Sequence, residues 1–435
     1  MTNIAIVTLD TLRKDSFDEY FDWLPGIKFE NVWSPGRFTS TAHAAMFCGL
    51  YPSELGVNSR SKDLATDRRT IAEILTSHGF RTTAISANPL VSPEFNFDRG
   101  FDSFYRAGRT RSSRPEIFDW ASEIRKSTRS GLSRDIQLMY KCIRSDSNTA
   151  KSLKFGIDLK LNNIYSSIEV QNILKRIDFS ENEFLYINIM DAHAPYTPPK
   201  EFQTVGYQEP SISERMGGYS SREITAQKEA YTNSIKFLSK QYKKIYNTLA
   251  RDFDYIFTLS DHGELFGERN NLIRHMLGVP PELVHVPLCI SGPELKNRNE
   301  SPNRSLLEIY PTILNLAGIT KESRGKDLLN ESSEEHYLTE CNGLAEAFRK
   351  QLLESNMTEK ELSKWDRSRQ GVTLSDGGYL FQNYEGKEEA TQQAESSNQT
   401  ISNVINKLNI DYCETSGGKN ISEGTIAQLK DLGYR

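Results

Sequence analysis

Short apolar runs alternate along this chain with longer segments whose apolar residues recur at helical spacing. Ile4 to Leu9 is continuously apolar and rich in β-branched residues, the pattern of a strand buried on both faces of a parallel sheet. Thr82–Ser86, Phe184–Met190, Tyr255–Ser260 and Val286–Ile290 read as further short strands. Helical segments lie between them. Ala42–Phe47 is stopped by Gly49 and Pro52, and Thr70–His78 places Ile71, Ile74 and Leu75 on one face before Gly79. Gln227–Leu249 is long and amphipathic, and Ser305–Leu316 is broken at Gly318. Helix followed by strand is the order a βαβ unit requires, and it predicts an α/β fold: a doubly wound mixed sheet with helices on both faces.

Two regions depart from this rhythm. From about 106 to 180 the chain is polar and locally basic, dense in Arg and Ser up to Arg144, and reads as a helical and loop insertion. From about 322 it turns polar again, with loop-like stretches at Glu331–Glu335, Lys387–Ser397 and Thr415–Asn420. Strands near His336–Leu338 and Gly378–Asn383 make this a small C-terminal subdomain, 321–435, appended to a main domain of 1–320. The segment Ala194-Pro-Tyr-Thr-Pro-Pro199 is a stiff, irregular loop, since proline fits neither a helix interior nor a central strand.

Composition narrows the possible partners. Lys plus Arg total 53 against 58 Asp plus Glu, a net charge of -5, which argues against a general nucleic-acid or anionic-membrane surface while leaving local basic stretches open. The five cysteines are widely spaced, odd in number and without a CxxC pair, a usage suited to a reducing compartment. No leader pattern precedes Ile4, and no apolar run reaches the ~18 residues of a membrane span. These features predict a soluble, cytoplasmic protein and leave its oligomeric state open.

The chemistry-bearing residues cluster just past the strands. Asp10 follows Leu9, with Arg13 and Asp15 close behind; Asn88 follows the second strand; Asp191 and His193 follow the third. Asp261-His262-Gly263-Glu264 follows the fourth, and His275 lies 13 positions beyond His262. Thr39, Ser40 and Thr41 precede a helix, where free N–H groups and the helix dipole favour an anion and a hydroxyl can attack it. Each has a plainer reading: Asp10 and Thr39 as helix caps, Arg13 as half of a surface ion pair, Asn88 as a turn residue, His78 as a helix C-terminal cap, His285 as structural. In an open α/β sheet, however, the ligand crevice lies outside the carboxyl ends of the strands, which brings these groups together. Two carboxylates and an imidazole around a hydroxyl suit one divalent ion, whether zinc, manganese, magnesium or calcium. Such an ion acidifies a threonine hydroxyl that is otherwise unreactive. A second metal at Asp191 and His193 is a further possibility.

With these motifs in hand, the chain resembles the sulfatase family of the alkaline phosphatase superfamily. The matching pieces are Ile6-Val-Thr-Leu-Asp-Thr-Leu-Arg-Lys-Asp15, the Thr39–Pro52 stretch ending Gly-Leu-Tyr-Pro, Asp191-Ala-His-Ala-Pro-Tyr196, Ser260-Asp-His-Gly-Glu264 and His285-Val-Pro-Leu288. Ile309-Tyr-Pro-Thr-Ile-Leu-Asn-Leu-Ala-Gly318 and Leu429-Lys-Asp-Leu-Gly-Tyr434 also resemble family segments. The resemblance implies a sulfatase-like catalytic domain in which Asp10, Asp261 and His262 hold the metal. Thr39 is then the nucleophile and itself touches the ion. His193 and His275 would hold the substrate's oxyanion or protonate the leaving group, and Arg13, Asn88 and His43 would be further substrate contacts.

The departures from the family are specific. Formylglycine sulfatases carry Cys or Ser in Cys/Ser-X-Pro-X-Arg, where this chain reads Thr39-Ser-Thr-Ala-His43. Thr11 replaces the second of a pair of aspartates, and the Gly-Lys-X-His segment is missing, with Ala87-Asn88-Pro89 nearby instead. A threonine nucleophile is similar to the superfamily's phosphodiesterases and its phosphoethanolamine and phosphoglycerol transferases. The expectation is therefore a metal-dependent hydrolase of sulfate or phosphate esters acting on an anionic small molecule or glycan. The alternatives are a soluble transferase with a glycan or lipid acceptor and a non-catalytic binder of anionic glycans.

Overall fold

Eight strands form the main sheet: β1 (Ile4–Leu9), β2 (Ile27–Trp33), β3 (Arg81–Ser86), β4 (Ser103–Arg106), β5 (Glu183–Ile189), β6 (Tyr255–Leu259), β7 (His285–Ser291) and β8 (Arg298–Ser305). Their order across the sheet is β4-β3-β5-β1-β6-β7-β2-β8, and only β7 runs antiparallel to its neighbours. The structure is a computed structural model. It describes residues 2–413 apart from 114–115, 121–122, 125–126, 128–130, 161–163, 331–335, 356, 376 and 395–398. The expected loops at Glu331–Glu335 and Thr415–Asn420, and the family-like Leu429–Tyr434, lie outside the described residues.

Period-two alternation explains why β1 sits at the centre. Ile4 and Ile6 face one apolar cluster with Phe47, Tyr186 and Leu288, while Ala5, Val7 and Leu9 face the other with Leu185, Ile187 and Tyr231. Both faces are covered by helices, as an α/β sheet requires. The helix Thr39–Cys48, every residue of it buried, joins the first cluster, and the long helix Ser221–Leu249 joins the second. That long helix begins six residues earlier than its apolar spacing suggests, because a capping box between Ser220 and Glu223 starts it within a polar stretch.

Three strands of the sheet, β2, β4 and β8, were not expected from the sequence. β4 and β8 are its edges, and β8 reads Arg-Asn-Glu-Ser-Pro-Asn-Arg-Ser, with no apolar run to mark it. Its pairing with β2 is a backbone property, and Pro302 is tolerable only on an edge.

The C-terminal residues build a four-stranded antiparallel sheet, β9 (Leu338–Asn342), β10 (Ser368–Thr373), β11 (Tyr379–Gln382) and β12 (Glu388–Ala390), ordered β12-β11-β10-β9. β11 lies where a strand was expected, β9 only begins at Leu338, and β12 falls inside a stretch expected as loop. The two sheets meet where it matters for function. Glu340 N–H donates to Pro35 at 2.9 Å, and Trp33 stacks on Tyr379 with ring centroids 4.1 Å apart. Buried Arg37 then donates to the carbonyls of His275 at 2.6 Å and Gly343 at 3.1 Å, holding the segment that leads into Thr39.

Within the polar region after β4, the helices Gly131–Ile143 and Thr149–Lys160 share a small core of their own with Ile117, Phe118 and Trp120. Gly156 is required there, since a Cβ at this position would lie 2.4 Å from the Trp120 ring. The next helix, Ser166–Leu174, packs instead into the second main cluster through Val170, Ile173 and Leu174. Among the described residues no helix is long and apolar enough to cross a membrane.

Candidate active site

The carboxyl ends of the parallel strands β3, β5, β1 and β6 lie side by side, so the residues that follow each strand share one edge. Asp10, Asn88, Asp261 and His262 are all fully buried there, and Thr39 comes to the same point from the first turn of its helix. Phe38 occupies the cap position of that helix and no side chain caps it. The Thr39 hydroxyl turns to the strand ends instead, 3.3 Å from His262 Nε2 and 3.4 Å from Asn88 Nδ2.

Asp10 is held by three donors. Asn88 Nδ2 donates to Oδ2 at 2.7 Å, Asn188 Nδ2 to the same oxygen at 3.1 Å, and Thr11 Oγ1 to Oδ1 at 2.9 Å. Thr11 has φ 65, a left-handed conformation costly for a β-branched residue, and it directs the Thr11 N–H to Asp261 Oδ1 at 3.3 Å. Asp261 Oδ2, by contrast, is buried and accepts no hydrogen bond; it lies 3.6 Å from His262 Nε2 and 3.8 Å from His43 Nδ1.

Electrostatics follow from this asymmetry. Burial opposes ionisation of Asp10, yet His193, His262 and the two asparagine amides hold its pKa below the usual carboxylate range. Burial and the neighbouring Asp10 push Asp261 up. Burial disfavours a charged His262 too, but Asp261 and Asp10 outweigh it and raise its pKa. The cluster therefore attracts positive charge.

That is the test of whether a metal fits, and these residues pass it. Single ligand atoms of Asp10, Asp261 and His262 lie within 4.8 Å of one another. The His262 Nδ1–H donates to the Gly263 carbonyl at 2.9 Å, which leaves Nε2 as the ligand nitrogen. Among the described residues neither carboxylate pairs with a lysine or arginine, and the orphaned Asp261 Oδ2 supplies an oxygen with no other partner. Two oxygens, a nitrogen and a hydroxyl suit the hard and borderline divalent ions.

His193 and His275 close the other side. Their rings meet edge to face at 5.5 Å between centroids, and His275 lies 4.5 Å from the His262 ring. His193 Nδ1–H donates to the Ala194 carbonyl at 2.7 Å. His275 Nδ1 lies 3.2 Å from Glu264 Oε1, whose partner oxygen accepts from Tyr196 at 2.8 Å, and buried Arg274 donates to Tyr196 at 2.7 Å. Burial pushes the His275 pKa down to about 4 despite Glu264. Burial works against the Glu264 charge as well, but His275 and Arg274 hold that pKa at about 2. Beside His193 opens a cleft bounded by Tyr165, Met190, Pro195, Pro198 and Phe237.

Three sequence candidates stand elsewhere. Arg13 donates to Asp15 at 2.7 Å, Glu268 at 2.8 Å and the Glu264 carbonyl at 2.7 Å, so its guanidinium braces the loop after β6 instead of clamping a substrate. His43 is fully buried beneath Thr39, its Nδ1–H donating to the Thr39 carbonyl at 2.8 Å. Burial keeps its ring neutral, so Nε2 accepts from the Tyr186 hydroxyl at 2.7 Å and neither nitrogen is left for substrate. Asp191 is not brought together with His193 as a metal pair. Its two oxygens accept from the Ser166 and Ser167 N–H groups at 2.7 and 3.0 Å, at the N-terminus of the helix Ser166–Leu174. His78 and His285 fill structural places, on the Ile74 carbonyl and against the Trp33 ring. Sequence reasoning missed Asn188 and Arg274, and it placed Tyr196 and Glu264 in motifs without giving either a role. Asn188 is the one polar residue of its strand Glu183–Ile189 beyond the first position other than Tyr186, which was its available signal.

The chain is 23% identical over 329 residues to Arylsulfatase K from Canis lupus familiaris, covering 71% of this chain and 60% of that protein. It is 22% identical over 363 residues to Choline-sulfatase from Rhizobium meliloti (strain 1021), covering 74% and 68%. In fold it is similar to the phosphonate monoester hydrolase of Agrobacterium radiobacter, with a TM-score of 0.61, 14% identity and coverage of 100% and 94%. The sequence pattern of the Sulfatase family matches residues 8–319, and with the strand-end cluster falling inside that span the chain belongs to the sulfatase family.

Proposed function

We infer that this protein hydrolyses phosphate or sulfate esters with Thr39 as nucleophile. The observation that carries the reading is the 3.3 Å between Thr39 Oγ1 and His262 Nε2, inside a cluster that attracts a dication. A divalent ion held by Asp10, Asp261 and His262 would supply the positive charge that acidifies the Thr39 hydroxyl and polarises the ester.

The chain's own residues account for the remaining work. Thr39 Oγ1, its proton already given up to solvent, attacks phosphorus or sulfur in line, and the bond from that centre to the organic oxygen breaks. His193 gives the departing oxygen a proton from Nε2, because its Nδ1–H is committed to Ala194. Water then attacks the same centre, returns a proton to His193 and frees Thr39. His275, neutral near neutral pH, serves as a contact oriented by Glu264, and Asn88 offers its amide to the transferring group. The cleft beside His193 takes the organic part of the ester.

The carbon that bears the Thr39 hydroxyl holds a single oxygen. A group bound there can leave only by attack of water on phosphorus or sulfur, and a dication held by Asp10, Asp261 and His262 would best stabilise the more highly charged phosphoryl group. Phosphate esters are therefore the favoured class. The experiment compares matched aryl phosphate and aryl sulfate esters with wild type, Thr39→Ser and Thr39→Ala, and seeks a covalent adduct on the Thr39 peptide by mass spectrometry after acid quenching. Thr39→Ser should retain turnover and Thr39→Ala should lose nearly all of it. Full turnover by Thr39→Ala refutes the nucleophile, and a strong sulfate preference refutes the substrate class.

A further inference from the structure

The helix Gly131–Ile143 has two apolar faces. Leu138 and Cys142 turn inward and pack with Phe118, Trp120 and Phe155. Leu132, Ile136, Met139, Tyr140 and Ile143 are 40–72% exposed. At 100° per residue these five fall within an arc of about 100°, a continuous stripe along the helix. Ile157, on the neighbouring helix Thr149–Lys160, is 48% exposed as well. Scattered exposed apolar residues need no explanation, but a continuous stripe marks a surface that is covered in use.

Charge selects what covers it. Between residues 106 and 160 there are thirteen Arg and Lys against six Asp and Glu, although the whole chain carries -5. Arg144, Lys151 and Lys154 are exposed on the two helices or beside them. A second copy of the chain would bring two such basic segments face to face, and the like charges would repel. An anionic lipid surface takes up both the apolar stripe and the positive charge. The Arg144 guanidinium lies 4.8 Å from the centre of the Tyr140 ring, an aromatic body with a cationic tip of the kind that suits a headgroup layer.

We propose that the helices Gly131–Ile143 and Thr149–Lys160 form a peripheral membrane-binding element, with Leu132, Ile136, Met139 and Ile143 seated in the interface of an anionic bilayer. This inference stands apart from the catalytic reading. The helices have their own small core, so surface substitutions on them leave the strand-end cluster intact.

The test is sedimentation of the full chain with vesicles of mixed phosphatidylcholine and phosphatidylglycerol, against vesicles of phosphatidylcholine alone. Wild type should bind the anionic vesicles roughly tenfold or more tightly, and high salt should weaken that binding. The double variant Ile136→Glu/Ile143→Glu should lose binding with unchanged thermal unfolding. Lys151→Glu/Lys154→Glu should lose only the preference for anionic vesicles. Absence of binding to either vesicle overturns the proposal, as does binding that neither variant changes. A dimer in analytical ultracentrifugation that Ile136→Glu/Ile143→Glu dissolves, without vesicle binding, assigns the stripe to a second copy and overturns it too.

Discussion

Asn88 donates its side-chain amide to Asp10 Oδ2 at 2.7 Å, and the same nitrogen reaches to 3.4 Å from Thr39 Oγ1. One neutral donor thus faces both a carboxylate and the hydroxyl proposed to react. Removing it in Asn88→Ala should lower turnover by ~10²-fold or more, the usual cost of losing one donor to developing charge. Metal content should be unchanged. Loss of the metal in this variant would show that Asn88 serves to orient Asp10 and not to stabilise the transferring group. Asn88→Asp should be no better than Asn88→Ala, because it sets an acceptor against the Asp10 carboxylate.

A second prediction concerns the metal itself. Asp10 and Asp261 are buried together without a cationic side chain other than histidine among the described residues, so the folded protein is stabilised by any ion that binds only there. Zinc or manganese at about 100 times its dissociation constant should add ~2.7 kcal/mol and raise the melting temperature. Asp261→Asn should remove that response and the bound metal together, read by calorimetry and by metal analysis. The metal-free variant should be no less stable than metal-free wild type, since it removes one of two repelling carboxylates. An unchanged metal stoichiometry would sink the ligand assignment.

A third prediction follows from Glu340 at the junction of the two sheets. Burial pushes its pKa from 4.5 up to about 7, although the Ser53 N–H donates to it at 3.1 Å. A carboxyl raised in the folded state favours folding fully below its unfolded pKa, and that contribution is lost as pH rises through the folded value. Stability should therefore fall between pH ~4.5 and ~7 by about 3 kcal/mol from this group. Glu340→Gln keeps an acceptor for Ser53 and carries no charge. Its unfolding free energy should exceed that of wild type above pH ~7 and converge with it in mild acid. Parallel pH profiles for the two proteins would contradict this account.

How much of this was legible beforehand depends on where each residue's partners lie. Asp10, Asp261 and His262 could be read because each directly follows an apolar run, and the carboxyl edge of a parallel sheet is a place the sequence pattern specifies. Asn188 sits inside such a run and is hidden by it. Arg13 was misread because Glu268, which holds it, comes from the far loop after β6. Asp191 was misread because the helix it caps starts 25 residues before it in the chain. The network from Arg274 through Tyr196 to Glu264 and His275 joins two loops that meet only in the fold. β8 left no trace at all, since an edge strand paired through its backbone needs no apolar pattern.

The last prediction separates the two histidines. His193 and His275 face each other at 5.5 Å, and the sequence offered either as proton donor or oxyanion contact. Their surroundings differ. His275 is oriented by an ionised Glu264 and kept neutral by burial, whereas the His193 Nδ1–H spends its bond on a backbone carbonyl beside the cleft. If His193 protonates the leaving oxygen, His193→Ala should lose ~10²-fold or more on esters of aliphatic alcohols. It should lose far less on esters of acidic phenols, which depart without a proton. His275→Ala should slow both kinds alike, because a contact to the transferring group acts whatever the leaving group. The measurement is the dependence of kcat/KM on leaving-group acidity for the three proteins with metal bound. A steeper dependence in His193→Ala, with His275→Ala parallel to wild type, supports the assignment. The reverse pattern exchanges the two roles, and equal slopes in all three mean that neither imidazole moves the proton.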